Sequence, residues 1–446
     1  MNSIFYFLTF HDVFILPILI FGIIGVSELY LKYFANHHPV NIYFLPLIYI
    51  KLTICIIFYF IYNVYLGSAD GLGYFRGNEI ILLLLKKAPQ SFFRFFLLND
   101  NTVFNNTFFM NEWPNYLKDS RSLMVNKFTF ILNAICLNSY LGVNLLFTFL
   151  TFIPVWKFFK YLYLPDKKYL LVLAFAMFCF PSIAAWSSLL LKDGIVLSFS
   201  CLFFYSIMKL HDKEKESFLF KYPLIGLVSL LIIINIRPFM IIPLISGSLV
   251  YFFLKMLFSI KNPILKFTTA PFLMCLFIFF SLIIVLKLSP FLAEFNLDNI
   301  LETASIRRTS AFPDNPYSSM NFSFGNLTHL LIVQIPYFTF NLFLRPFFET
   351  QSNHTLLPAV FENILFFIII LIILIKIPPV HLLRQLITSP FFWMCITSVI
   401  IFSFFTAYTI SNFGSLHRFR IFSLFFTLVA FINMLGMSIQ KDKNQN

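Results

Sequence analysis

Arginine placement carries the chemical signal of this chain. Every arginine except Arg384, namely Arg76, Arg94, Arg121, Arg237, Arg307, Arg308, Arg345, Arg418 and Arg420, falls in a segment that the apolar pattern assigns to the outer side of a membrane. The lysines gather mostly at the opposite helix ends. Basic residues ordinarily collect on the cytoplasmic side, so arginines held outside call for another cause. A guanidinium offers a planar fork of donors to phosphate and carboxylate oxygens, and it keeps its charge in partly apolar surroundings. The simplest chemistry is recognition of an anionic substrate at the outer face.

Five short motifs could supply that chemistry. In GSADGLGYFRGNE at 67–79, Asp70, Arg76 and Glu79 stand among glycines at the mouth of a span. A carboxylate there could accept a proton from a sugar hydroxyl, and glycines let backbone approach a ligand; the plainer alternative is a helix-ending turn. In FPSIAAWSSLLLKDGIVL at 180–197, Lys192 and Asp193 interrupt an apolar helix near its outer end. Charges at that depth need a partner or a polar cavity. Adjacent helical residues diverge by about 100°, so Lys192 can reach an anion while Asp193 turns to a neighbouring arginine, with Trp186 as a second orienting group; the plainer alternative is a snorkelling, purely structural pair. In INIRPFMIIP, Arg237 precedes Pro238 at a helix start, where backbone donors also favour phosphate.

The fourth motif pairs Arg307 and Arg308 in ASIRRTSAFPDNPYSS with Arg345 and Glu349 in FNLFLRPFFE. Arg345 and Glu349 either form a local i,i+4 ion pair or divide labour, the arginine on a phosphate and Glu349 deprotonating an acceptor hydroxyl. The fifth, HRFRIF at 417–422, offers His417 as a further base. Arg418 and Arg420 project to different sides, and Arg418 is taken as the anion-binding one of the two. The candidate bases are therefore Asp70, Glu349 and His417, and the candidate anion-binding groups are Arg76, Lys192, Arg237, Arg307, Arg308, Arg345 and Arg418.

The elements that must hold these residues are membrane helices. The chain is 59% apolar and 11% charged, with a mean hydropathy of +0.84, which excludes a soluble domain. Apolar runs long enough to cross hydrocarbon recur near 13–34, 42–66, 128–155, 169–186, 190–209, 220–236, 238–256, 269–288, 360–376, 390–411 and 420–438, about eleven spans in an all-α polytopic fold. The whole of 1–446 reads as one integral membrane domain. Lysines after the third and fifth spans orient the chain with its N-terminus outside and its C-terminus inside. Two longer outer segments follow, near 67–127 and 289–359. The first carries LLLLKKAPQSFFRFFLL at 82–98, an interfacial anchor by composition; the stretch 328–346 must lie along the outer surface without crossing. The first span reads as retained, lacking a basic leader and cleavage pattern. The six cysteines all fall in predicted spans and form no CxxC pair, so they read as packing groups and not as disulfides or a metal site.

Together these elements resemble the Wzy-type repeat-unit polymerases of bacterial polysaccharide clusters and related lipid-linked sugar transferases. The resemblance rests on Asp70 and Tyr74; on Pro181, Ser182, Trp186, Ser187, Ser188, Lys192 and Asp193; on Arg237-Pro238; on Arg345, Pro346, Phe347 and Glu349, then Glu362-Asn363; and on the closing Arg-Phe-Arg. It implies an enzyme of the bacterial cytoplasmic membrane, active at its outer face, that transfers a growing glycan from undecaprenyl diphosphate onto an acceptor unit on a second such lipid. The implied partners are lipid-linked oligosaccharides, membrane lipids and a chain-length regulator, with no nucleic acid. Clustered arginines would stabilise the departing diphosphate, so neither cofactor nor metal is expected. Three alternatives stand beside it: a GT-C-type transferase using a polyprenyl-phosphate sugar, a glycan ligase, and a transporter or flippase of lipid-linked sugars.

Overall fold

The computed structural model describes residues 10–34, 38–65, 70–98, 115–211, 220–261, 339–340, 342–343, 357–409 and 417–445. The fold is all-α, as a polytopic chain in hydrocarbon requires, because every backbone polar group there must be satisfied internally. Among the described residues, seven helices are long and apolar enough to cross a membrane: Phe10–Tyr33, Pro39–Asn63, Tyr140–Tyr161, Lys192–His211, Pro238–Ser259, Pro358–Lys376 and His417–Gln440. Pro379–Thr388 with Pro390–Ser403, bent by 73°, adds an eighth if that pair is one span, and Lys221–Ile236 is a shorter apolar helix. The expected span at 269–288 and nearly all of the second outer segment lie outside the described residues.

The chain forms two compact units. One comprises Met1–Tyr161, Ala184–Tyr205 and Leu227–Arg237, and the other Leu162–Ile183, Ser206–Gly226 and Pro238–Asn446. The first unit contains α1 (Phe10–Tyr33), α2 (Phe44–Phe60), α3 (Asp70–Lys87), α4 (Pro89–Leu98), the single turn α5 (Asn115–Lys118), α6 (Ser120–Ile135) and α7 (Tyr140–Tyr161). The run 128–155 is thus two helices and not one span. Leu137 and Asn138 take left-handed conformations, with φ of 49° and 61°, which end α6. Ser139 then caps α7 by accepting from Gly142 N at 3.0 Å. The anchor at 82–98 is likewise divided, because Pro89 is best accommodated at a helix start and opens α4.

Polar side chains bind α3 to α6. Asn78 Nδ2 donates to Thr129 Oγ1 and Asn133 Oδ1, each at 3.0 Å, while Asn126 Nδ2 donates to Tyr74 O at 2.7 Å and Asn78 Oδ1 at 2.9 Å. In apolar surroundings each such bond is worth about 0.6–2 kcal/mol. The ladder fixes α3 and so fixes Asp70 at its first residue. Aromatic rings fill the α2–α7 contact, where Phe44 meets Trp156 edge-on with centroids 4.9 Å apart.

The expected span at 169–186 is built from α8 (Lys167–Ala174), a π turn at Phe175–Cys179 and α9 (Pro181–Trp186). Phe180 is extended, with ψ of 128°, as the residue before proline prefers. Beyond an irregular stretch, α10 (Lys192–His211) and α11 (Lys221–Ile236) follow. The second unit contains α12 (Ile241–Ser259), α13 (Leu357–Lys376), α14 (Pro379–Thr388), α15 (Pro390–Thr409) and α16 (Ile421–Gln445). Gly247 lets α12 approach α15 closely: a Cβ there would sit 2.5 Å from Met394 O and run into Ser398. Ser398 Oγ donates across the contact to Pro243 O at 2.8 Å. Ser403 and Ser423 join α15 to α16 with their hydroxyls 3.0 Å apart.

Candidate functional site

In the first unit, charged groups collect at the starts of α3, α6 and α10 and the end of α11. Tyr116 OH donates to Asp70 Oδ1 at 2.6 Å. Burial and the adjacent Asp70 carboxylate push the Tyr116 hydroxyl up, so it stays a proton donor. Its ring lies against Gly73, where a Cβ would collide with it, and meets Tyr74 edge-on at 4.9 Å. Asp119 caps α6, accepting from Ser122 N at 3.0 Å and Ser122 Oγ at 2.6 Å. Lys192 Nζ completes that carboxylate at 3.3 Å. Burial alone would raise the Asp119 carboxyl, but Ser122 and Lys192 outweigh it and hold it below its ordinary value.

The neighbouring residue turns away, as helix geometry demands. Asp193 accepts from Arg237 Nη2 at 2.5 Å, and its side chain is fully buried while that of Arg237 is 8% exposed. The arginine that Asp193 turns to is Arg237. Arg237 is therefore a buried, ion-paired group whose fork is aligned by Asp193, whereas the partner of Lys192 is 49% exposed. Arg121 and Arg237 both bear electrostatically on Lys192. Of the groups in this set, the Lys192–Asp119 pair is the one an incoming anion could reopen. Arg76 is exposed on α3, and burial pushes the nearby Glu79 carboxyl up against the pull of Arg76. Trp186 stacks edge-on against Phe58 and Tyr62, at 5.1 and 5.6 Å.

The second unit holds a separate cluster. Glu362 Oε1 accepts from Ser182 N at 2.7 Å, and Oε2 accepts from the Ser182 hydroxyl and from Arg420 Nη2 at 2.8 Å. His417 Nε2 lies 2.9 Å from the same Oε2 and 3.0 Å from Ser182 Oγ. Arg420 Nη1 donates to Asn363 Oδ1 at 2.5 Å. Serine and carboxylate thus meet the same imidazole nitrogen, which excludes a relay through the ring of the serine–histidine–acid kind, where the two use opposite nitrogens. A carboxylate can only accept, so Nε2 carries the proton toward it.

The structure therefore brings Asp70, Lys192, Asp193 and Arg237 into one unit and His417 into the other, with Arg418 half-buried beside it. Arg307, Arg308, Arg345 and Glu349 lie outside the described residues. Sequence reasoning missed Asp119 and Tyr116 as partners and left Glu362, Ser182 and Arg420 out of the candidate site. Two signals could have found them: Asp119 stands just before an apolar helix with Ser122 three residues on, and Glu362 is a carboxylate inside an apolar span. His417 and Arg420, three apart, share a helix face. Comparison with protein-family models, curated proteins and solved structures finds no match for this chain.

Proposed function

We propose that the protein is a membrane glycosyltransferase that joins oligosaccharide units carried on undecaprenyl diphosphate, at the outer face of the bacterial cytoplasmic membrane. In the reaction, an acceptor hydroxyl oxygen attacks the anomeric carbon of the donor sugar. The bond from that carbon to the diphosphate breaks, and the diphosphate leaves with the electron pair. Asp70, oriented by Tyr116, takes the hydroxyl proton; Lys192 exchanges Asp119 for the departing diphosphate, supported by the Asp193-aligned Arg237.

The observation that carries this reading is the Lys192–Asp119 pair beside Asp70's helix, a cation 17% exposed whose carboxylate partner is 49% exposed and so can be exchanged for another anion. A transporter would instead need polar groups open along a span. Lys51, at the centre of its span, is closed off by Ala184 O, Ser187 Oγ and Ser188 Oγ at 2.9, 2.5 and 2.8 Å.

The test is chain formation in proteoliposomes supplied with lipid-linked repeat units. The wild-type protein should polymerise them with excess EDTA present, Lys192→Gln should raise KM for the donor, and Asp70→Asn should lower kcat by about 10²-fold or more. Chelator-sensitive transfer restored by magnesium or manganese would favour the monophosphate-sugar transferase. Movement of intact lipid-linked units across the bilayer without bond formation would establish the flippase and overturn the proposal.

A further inference from the structure

The α9–α10 connection is irregular from Ser187 to Leu191, inside a run of buried residues. Non-helical backbone at that depth persists only where side chains satisfy it. In the first unit α7 does so directly, and α2 holds the segment through its serine hydroxyls and the carbonyl just before it. From α7, Thr148 Oγ1 donates to Ser188 O at 2.6 Å, Asn144 Oδ1 accepts from Leu190 N at 2.8 Å, and Thr151 Oγ1 reaches Ser187 O at 3.5 Å. From α2 comes Lys51, 5% exposed, whose ammonium donates to Ala184 O, Ser187 Oγ and Ser188 Oγ. An ammonium has three donors, and here three oxygens receive them. Lys51 is the one charged group in this set, and a charge in the membrane interior is retained only at cost.

Resting on the glycosyltransferase reading above, we infer that Lys51 is a positioning residue: by gripping the Ser187–Leu191 segment it sets where α10 begins, and so places Lys192 and Asp193 for the anionic substrate. The chemistry that Lys51 serves lies at the two residues that follow the segment directly. Without the ammonium, the two serine hydroxyls lose a donor and Ala184 O keeps only its bond from Ser188 Oγ, so the segment can return toward continuous helix. Because successive helical residues differ by about 100°, even a one-residue shift of the α10 start would swing Lys192 off Asp119 and Asp193 off Arg237.

The experiment compares Lys51→Met, which keeps length and loses the donors, with Lys51→Arg, which keeps a charged donor, each purified in lipid nanodiscs. Hydrogen exchange should rise about tenfold or more at Ser187–Asp193 in Lys51→Met while α12 and α15 keep wild-type protection, and Lys51→Arg should recover much of the difference. In the transfer assay the same Lys51→Met variant should raise KM for the lipid-linked donor more than it lowers kcat, with recovery in Lys51→Arg. Unchanged exchange at the segment, an increase spread over the whole chain, or equal behaviour of the two variants would overturn the inference. Should the wild-type protein transfer no sugar, the proposed function falls, and the exchange pattern still decides whether Lys51 holds the segment.

Discussion

Replacing Glu362 by glutamine keeps the shape of the side chain and removes its charge, and the second-unit cluster sets the size of the effect. The carboxylate receives Ser182 N–H, the Ser182 hydroxyl, His417 Nε2 and Arg420 Nη2, and the Arg420 side chain is 0% exposed. A glutamine can offer its oxygen to Ser182 N–H only by turning its amide N–H groups toward Arg420, so donor faces donor beside an uncompensated buried guanidinium. Breaking a buried pair in this way costs about 3–5 kcal/mol, or roughly two to nearly four powers of ten in the unfolding equilibrium. The assay is unfolding of the purified protein in mixed micelles, followed by helical circular dichroism. Adding Arg420→Met to Glu362→Gln removes the stranded charge, so the double variant should regain about 1–3 kcal/mol over the single one. A single variant within about 1 kcal/mol of wild type, or a double variant less stable than the single, would refute the reading of this cluster as a buried charge balance.

Gly247→Val should separate α12 from α15, because Met394 O is backbone and cannot step aside; a loss of about 1–3 kcal/mol in the same titration is expected, and no measurable change would contradict the close approach. Asp119 sets a pH dependence. Its carboxyl titrates below the ordinary 3.8, so its contribution is whole above that value and is lost as pH falls through the folded-state value. With the side chain 49% exposed, solvent screening limits the difference between wild type and Asp119→Asn to no more than about 1 kcal/mol, and that difference should close on acidification and shrink in a Lys192→Met background.

The helical membrane fold was legible because hydrophobic length in lipid leaves few other choices. Where the reading of the sequence and the structure part, local backbone chemistry is the reason. The split at Leu137–Asn138 depends on left-handed φ values that an apolar tally does not see, and Pro89 divides a stretch whose leucines and phenylalanines suggest one helix. The irregular Ser187–Leu191 segment is hidden in leucines, and what permits it is supplied from α2 and α7.

The site was legible only where one residue determines its neighbour. Lys192 and Asp193 are adjacent at a helix start, so their divergence follows from helix geometry, and Asp193 does turn to an arginine. Which arginine was not deducible, since Arg237 lies 44 residues away, and Asp119, the partner of Lys192, lies 73 residues before it. The same limit divides the HRFR motif. Its spacing shows that Arg418 and Arg420 face apart, yet only the fold reveals that Arg420 is consumed by Glu362 and Asn363. Arginine type alone thus overstates the number of groups available to an anion. Arg237 and Arg420 are held by buried partners, and Lys192 sits in a half-exposed pair that a diphosphate could displace without stranding a buried carboxylate, because Asp119 is left facing water with its Ser122 hydrogen bonds intact.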